Sequence, residues 1–110
     1  MPVETMRLRT GAEMPLVGLG TAHLYREKGR AAVRAALDAG YRHIDCAKVY
    51  GNERLVGDEL RLAMAGELAP GAIPDAPPRV PIPRAELFIT SKLWNDDHAP
   101  EDVAAACRRS

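Results

Sequence analysis

Apolar and polar residues alternate from the start of the chain. Met6 and Leu8 are interleaved with Arg7 and Arg9, and Met14 and Leu16 resume the alternation after Thr10, Gly11 and Ala12. Two short alternating runs around a glycine-bearing turn predict a β-hairpin over residues 5–16. Residues 17–20 read as a short strand with two glycines, followed by a loop over 21–29. An alanine-rich stretch over 30–39 carries Val33, Ala36 and Leu37 on one face and meets Gly40, a helix followed by its stop. Residues 41–45 predict a strand. Asn52 stands where a helix N-cap belongs, Glu53 adds favourable first-turn charge, and Val56, Leu60 and Met64 recur at every fourth position.

The pattern then breaks. Residues 66–83 hold Pro70, Pro74, Pro77, Pro78, Pro81 and Pro83. Proline at that density excludes a helix or a central strand and predicts an exposed, extended loop inserted between two regular elements. Docking as a proline-rich ligand is the less favoured reading. Residues 87–90 predict a further strand, and Pro100 with Glu101 and Asp102 opens a helix that continues to Arg109. A hairpin, then strands alternating with helices, argues for an α/β fold with a parallel sheet and helical crossovers.

Composition narrows the function classes. Fifteen basic residues balance fifteen acidic ones in 110 residues. That balance gives no electrostatic pull toward nucleic acid or an anionic membrane. The apolar share of 46% argues against disorder throughout. No apolar run reaches the ~18 residues of a membrane span, and no basic segment with a following apolar run argues for a signal peptide. Cys46 and Cys107 form neither a C-x-x-C pair nor a metal-ligand spacing, so both are expected as free thiols in a reducing cytoplasm, with no metal site. His23, His43 and His98 are scattered singly, and His43, inside a strand, reads as a packed or hydrogen-bonded side chain. Gly18 and Gly20 make a G-x-G, but His23 occupies the third glycine position of a dinucleotide fingerprint, which argues against a Rossmann site.

Two strands end on opposite charges: Asp45 after 41–44, and Lys92 just past 87–91. In parallel α/β sheets the carboxyl ends of the strands face the active site, and consecutive strands lie side by side. Asp45 and Lys92 are therefore expected at one rim. Tyr50, between Asp45 and the Asn52 cap, falls on the same rim. A phenol with a pKa near ~10 is a poor acid at neutral pH, and a neighbouring ammonium favours its phenolate. A lysine held by an aspartate would make Tyr50 a usable general acid.

Three segments carry a resemblance. GYRHIDCAKVYGNE (residues 40–53), FITSKLW (88–94) and MPLVGLGT (14–21) occur in order, and together the chain resembles the N-terminal part of an NAD(P)H-dependent aldo-keto reductase. The resemblance implies a partial (β/α)₈ barrel with an N-terminal β-hairpin and about the first three β–α units. It implies that residues 1–110 form the N-terminal part of that oxidoreductase domain. It implies reduction of a small carbonyl substrate to an alcohol with NADPH, less often NADH, and with Asp45, Tyr50 and Lys92 catalytic. Gly20, Thr21, Ala22 and Asp45 would contact the cofactor, and Ala22, Val49 and Trp94 the substrate. Many relatives have tryptophan where Ala22 stands, so a roomier or differently shaped pocket is expected, with His23, Leu24 or Tyr25 as candidates to refill the space. The family's catalytic histidine and its sites for the cofactor pyrophosphate follow later strands and have no counterpart in these residues, so residues 1–110 alone are expected to be inactive. Two other readings are weighed beside this one. One is a non-catalytic binding module that pairs through an open sheet edge. The other is an accessory channel subunit, a role that also occurs on this fold.

Overall fold

The computed structural model describes residues 3–110. Strands β1 (Thr5–Arg7) and β2 (Glu13–Pro15) form the expected antiparallel hairpin, in which Met6 faces Met14. Its turn is closed by the Gly11 amide donating to the Leu8 carbonyl, with Gly11 in the left-handed region at φ 90°. The second sheet is parallel. It holds β3 (Leu19–Gly20), β4 (His43–Asp45) and β5 (Phe88–Thr90) in that spatial order. Gly20 pairs with Asp45, and Asp45 with Thr90, so the three strands end level with one another.

Side-chain alternation divides the sheet into two faces. Ile44 is fully buried and Ile89 packs beside it against the helices. His43, Asp45, Phe88 and Thr90 point to the opposite face. There the His43 ring meets Phe88 edge to face at 4.9 Å, with Nδ1 3.0 Å from the Pro15 carbonyl and Nε2 3.3 Å from the Thr90 hydroxyl. The histidine is thus packed and hydrogen-bonded, as its place in a strand predicts.

Helices α1 (Arg26–Asp38) and α2 (Glu53–Ala65) cover the Ile44 face. The core joins Val33 and Leu37 of α1 to Leu55, Val56, Leu60 and Ala63 of α2, over Ile44, Cys46 and Leu87. Both helices end in Schellman turns: Gly40 and Gly66 adopt positive φ, and the next residues, Tyr41 and Glu67, donate to Ala36 and Leu62. Helix α3 (Pro100–Arg109) has Pro100 at its first turn, as expected, and buries only Ala106.

Two expectations need correction. Helix α1 begins at Arg26, not at residue 30. Gly29 reads as a loop residue in sequence, but it is buried in the first turn of the helix, where an added Cβ would lie 2.7 Å from the Leu24 carbonyl carbon. Its missing side chain lets the loop entering the helix pack closely against the first turn, which composition alone does not distinguish from a helix breaker. The proline-rich segment has no strand or α-helix, as predicted, and Ile73 and Val80 are exposed. It is nevertheless pinned. The Arg79 guanidinium donates to Asp38 (3.1 Å) and to the Glu67 carbonyl (3.0 Å), and Ile82 enters the core.

One charged pair lies between α1 and α2. Glu59 is 1% exposed and accepts two bonds from Arg34, at 2.6 and 3.4 Å. Arg34→Ala strands that carboxylate. We expect a loss of about 3 kcal/mol in urea unfolding, the low end for a broken buried pair because Arg34 keeps contact with water. Replacing both residues with leucine should recover most of the loss; equal losses in the single and double variants would contradict this account.

Candidate active site

The carboxyl ends of β3, β4 and β5 form one rim, and the predicted charges meet there. Lys92 Nζ donates to Asp45 Oδ1 at 2.7 Å and to the Cys46 carbonyl at 2.9 Å, and it reaches the Tyr50 hydroxyl at 3.5 Å. The ammonium also lies 5.2 Å from the centroid of the Tyr50 ring, within cation–π range. Its hydrogen bond to Asp45, and after that its bond to Tyr50, push the Lys92 amine above the usual lysine value. Lys92 is therefore a fixed cation at neutral pH.

The supports of this group come from the backbone. The Asp45 carbonyl accepts from both the amide (3.1 Å) and the hydroxyl (2.8 Å) of Thr21, which is fully buried. The Cys46 amide donates to the Thr90 carbonyl at 2.7 Å. Tyr50 ends a single 3₁₀ turn, Lys48–Tyr50, which Gly51 closes at φ 67°. Next to it Asn52 is buried at the helix start, but its side chain caps nothing. Its amide donates instead to the carbonyls of Thr21 (2.6 Å) and Leu24 (2.9 Å). Asn52 thereby joins the loop after β3 to the turn that carries Tyr50, a tie that reading it as a helix cap misses.

A second ion cluster fastens the loop after Lys92. Lys48 donates to Asp97 at 2.5 Å and to Asp96 at 3.4 Å, and Arg109 approaches Asp97 at 3.4 Å. Glu53 accepts from the hydroxyls of Ser91 (2.6 Å) and Ser110 (2.8 Å). Partners this far apart in sequence leave no local spacing signal.

A model of the Aldo/keto reductase family matches residues 16–110. The chain belongs to the aldo-keto reductase family. It is 46% identical over 110 residues to aldo-keto reductase family 1 member A1 of Mus musculus, covering all of this chain and 30% of that protein. The Danio rerio member A1-A is 49% identical over 106 residues, covering 96% of this chain and 29% of the relative. Among solved structures, the Bombyx mori aldo-keto reductase in complex with NADP superposes with a TM-score of 0.76 at 36% identity, over 99% of this chain and 33% of that one. The aldose reductase of Schistosoma japonicum gives 0.75 at 37% identity, over 96% and 31%. The chain thus spans about 30% of the length of the curated relatives it matches. Its hairpin and three parallel strands correspond to the N-terminal part of aldo-keto reductase barrels.

The other residues expected at an aldo-keto reductase site are spread around the rim. Gly20 and Ala22 are exposed, and Thr21 is buried with its hydroxyl committed to Asp45. Val49 and Trp94 are exposed at 47% and 41% and line neither the cleft between α1 and α2 nor the concavity beside the proline-rich segment. Asp45, Tyr50 and Lys92 also lie outside those concavities, on an open rim. Leu24 does not refill the space beside Ala22; it packs against the helical core, and its carbonyl is taken by Asn52. Tyr25 lines a cleft between α1 and α2. No group of three or more metal-ligating side chains is assembled among the described residues, and no helix there is long and apolar enough to cross a membrane.

Lys48 holds Asp97 below the usual carboxylate range. A lowered folded-state pKa contributes stability above the unfolded value near ~3.9, and that stability fades as pH falls through the folded value. Asp97→Asn is therefore expected to lower the urea midpoint at pH 7 and to leave it little changed near pH 2. An equal deficit at both pH values would remove the Lys48 bond as its cause.

Proposed function

We propose that this chain supplies the proton-donating part of an NADPH-dependent carbonyl reductase site, with NADH the less favoured cofactor. The observation that carries this reading is the reach of one ammonium, Lys92, to both Asp45 and Tyr50. It fits a general acid that must shed a proton near neutral pH. An ammonium at hydrogen-bond distance stabilises the phenolate left behind, and a carboxylate on its far side keeps it in place. We assign Tyr50 as the donor to the carbonyl oxygen of an aldehyde or ketone, and Lys92 and Asp45 as the pair that supports it.

The residues present suit one end of a nicotinamide cofactor. Gly20 pairs with Asp45, and an added Cβ on Gly20 would meet nothing within 4 Å. With Ala22 also exposed, the rim beside Asp45 has little side-chain bulk, which fits a planar ring. A bound NADPH would supply the hydride. In this reading Gly20, Thr21, Ala22 and Asp45 bound the cofactor side, and Ala22, Val49 and Trp94 bound the substrate side. Thr21 acts from below, by fixing the carbonyl of Asp45. Residues 1–110 form the N-terminal part of the oxidoreductase domain, 66–83 are a proline-rich insertion in it, and the compartment is the cytoplasm.

A polypeptide of residues 1–110 alone carries only this part of the site. Titrated with NADPH by fluorescence, it is expected to bind weakly and to reduce aldehydes negligibly; micromolar binding with steady turnover would overturn that expectation. In the longest form of the protein, Tyr50→Phe should lower carbonyl reduction by at least ~10²-fold. Near-normal turnover in that variant would mean that the donor is another group.

A further inference from the structure

A cleft of about 700 Å³ opens between the first turns of α1 and α2, lined by Arg26, Arg30 and Arg54 together with Tyr25, Gly51 and Asn52. We propose that it binds a phosphate group, either free or as a small phosphomonoester. No carboxylate lines the cleft. Arg30 shares Asp58 with Arg61, at 3.1 and 2.8 Å. Arg26 and Arg54 have no ion-pair partner among the described residues. The nearest acids in sequence are engaged elsewhere: Glu53 with Ser91 and Ser110, Glu27 with Arg34 at 3.7 Å. Two arginines without an ion-pair partner thus line one concavity beside a third that shares its acid, and the planar fork of arginine matches phosphate oxygens in pairs.

One further feature suits a phosphate: both helices are 13 residues long, and no side chain caps the first-turn amides of either. The locality of the charge disfavours nucleic acid, because three arginines in one cleft of a chain with zero net charge form no extended track.

The test is a titration of the ¹⁵N-labelled chain at constant ionic strength with glycerol 3-phosphate, inorganic phosphate, sodium chloride and NADP⁺. Glycerol 3-phosphate has no carbonyl, so the result does not depend on the catalytic reading. We expect saturable binding of glycerol 3-phosphate and of inorganic phosphate, read as shifts of the Gly51, Asn52 and arginine Nε–H signals. Arg26→Gln with Arg54→Gln should weaken it by at least about tenfold, while Lys28→Gln should not. If the double variant loses its dispersed spectrum, Arg54→Lys serves instead; it keeps the charge, removes the fork, and should weaken binding by about threefold. Shifts that follow chloride equally, or affinity unchanged in the arginine variants, would overturn the proposal. So would displacement of glycerol 3-phosphate by NADP⁺ with shifts at Asp45 and Lys92, since the cleft would then belong to the cofactor.

Discussion

The rim depends on one ammonium with three oxygen partners. Lys92 stands past the end of β5, yet its bonds go to Asp45 and the Cys46 carbonyl at the end of β4, and then to Tyr50 in the turn beyond. Charge alone would make this a surface ion pair of little worth, since both side chains are more than a third exposed. Its significance is positional. The lysine draws the ends of two strands and a phenol into one place, and the backbone bonds of Thr21 and the amide of Asn52 hold that place from beneath.

Much of this was legible in the sequence, for reasons that can be named. Asp45 and Lys92 follow short runs that read as strands, and parallel neighbours put their ends at one rim. The resemblance over 40–53 and 88–94 pointed to the same residues, and the family match agrees with it. The hairpin was readable because its turn needs a glycine at positive φ.

What escaped the sequence was mostly tertiary. Gly29 looks like a breaker but lies inside a helix, because the backbone of Leu24 in the loop leading into that helix folds close against it. Asn52 looks like a cap but reaches across to a loop 31 residues earlier. Lys48 and Asp97 meet across 49 residues, and Arg26 and Arg54 converge on one cleft from different helices. Charges of this kind look like ordinary solvated positions until the fold brings them together. The proline-rich segment shows a related limit, since composition fixes its lack of helix but not its anchors at Arg79 and Ile82.

The contacts of His43 have a consequence for how β5 finds its place. A shift of β5 along β4 by a single residue would turn Phe88 and Thr90 into the helical layer and swing Ile89 outward. It would also carry the lysine about 3.3 Å away from its carboxylate. The imidazole opposes such a slip on both counts, because only the native alignment offers it the Phe88 edge and the Thr90 hydroxyl together. An aromatic nitrogen heterocycle on the sheet face away from the helices thus acts as an alignment key for the strand that delivers the cation.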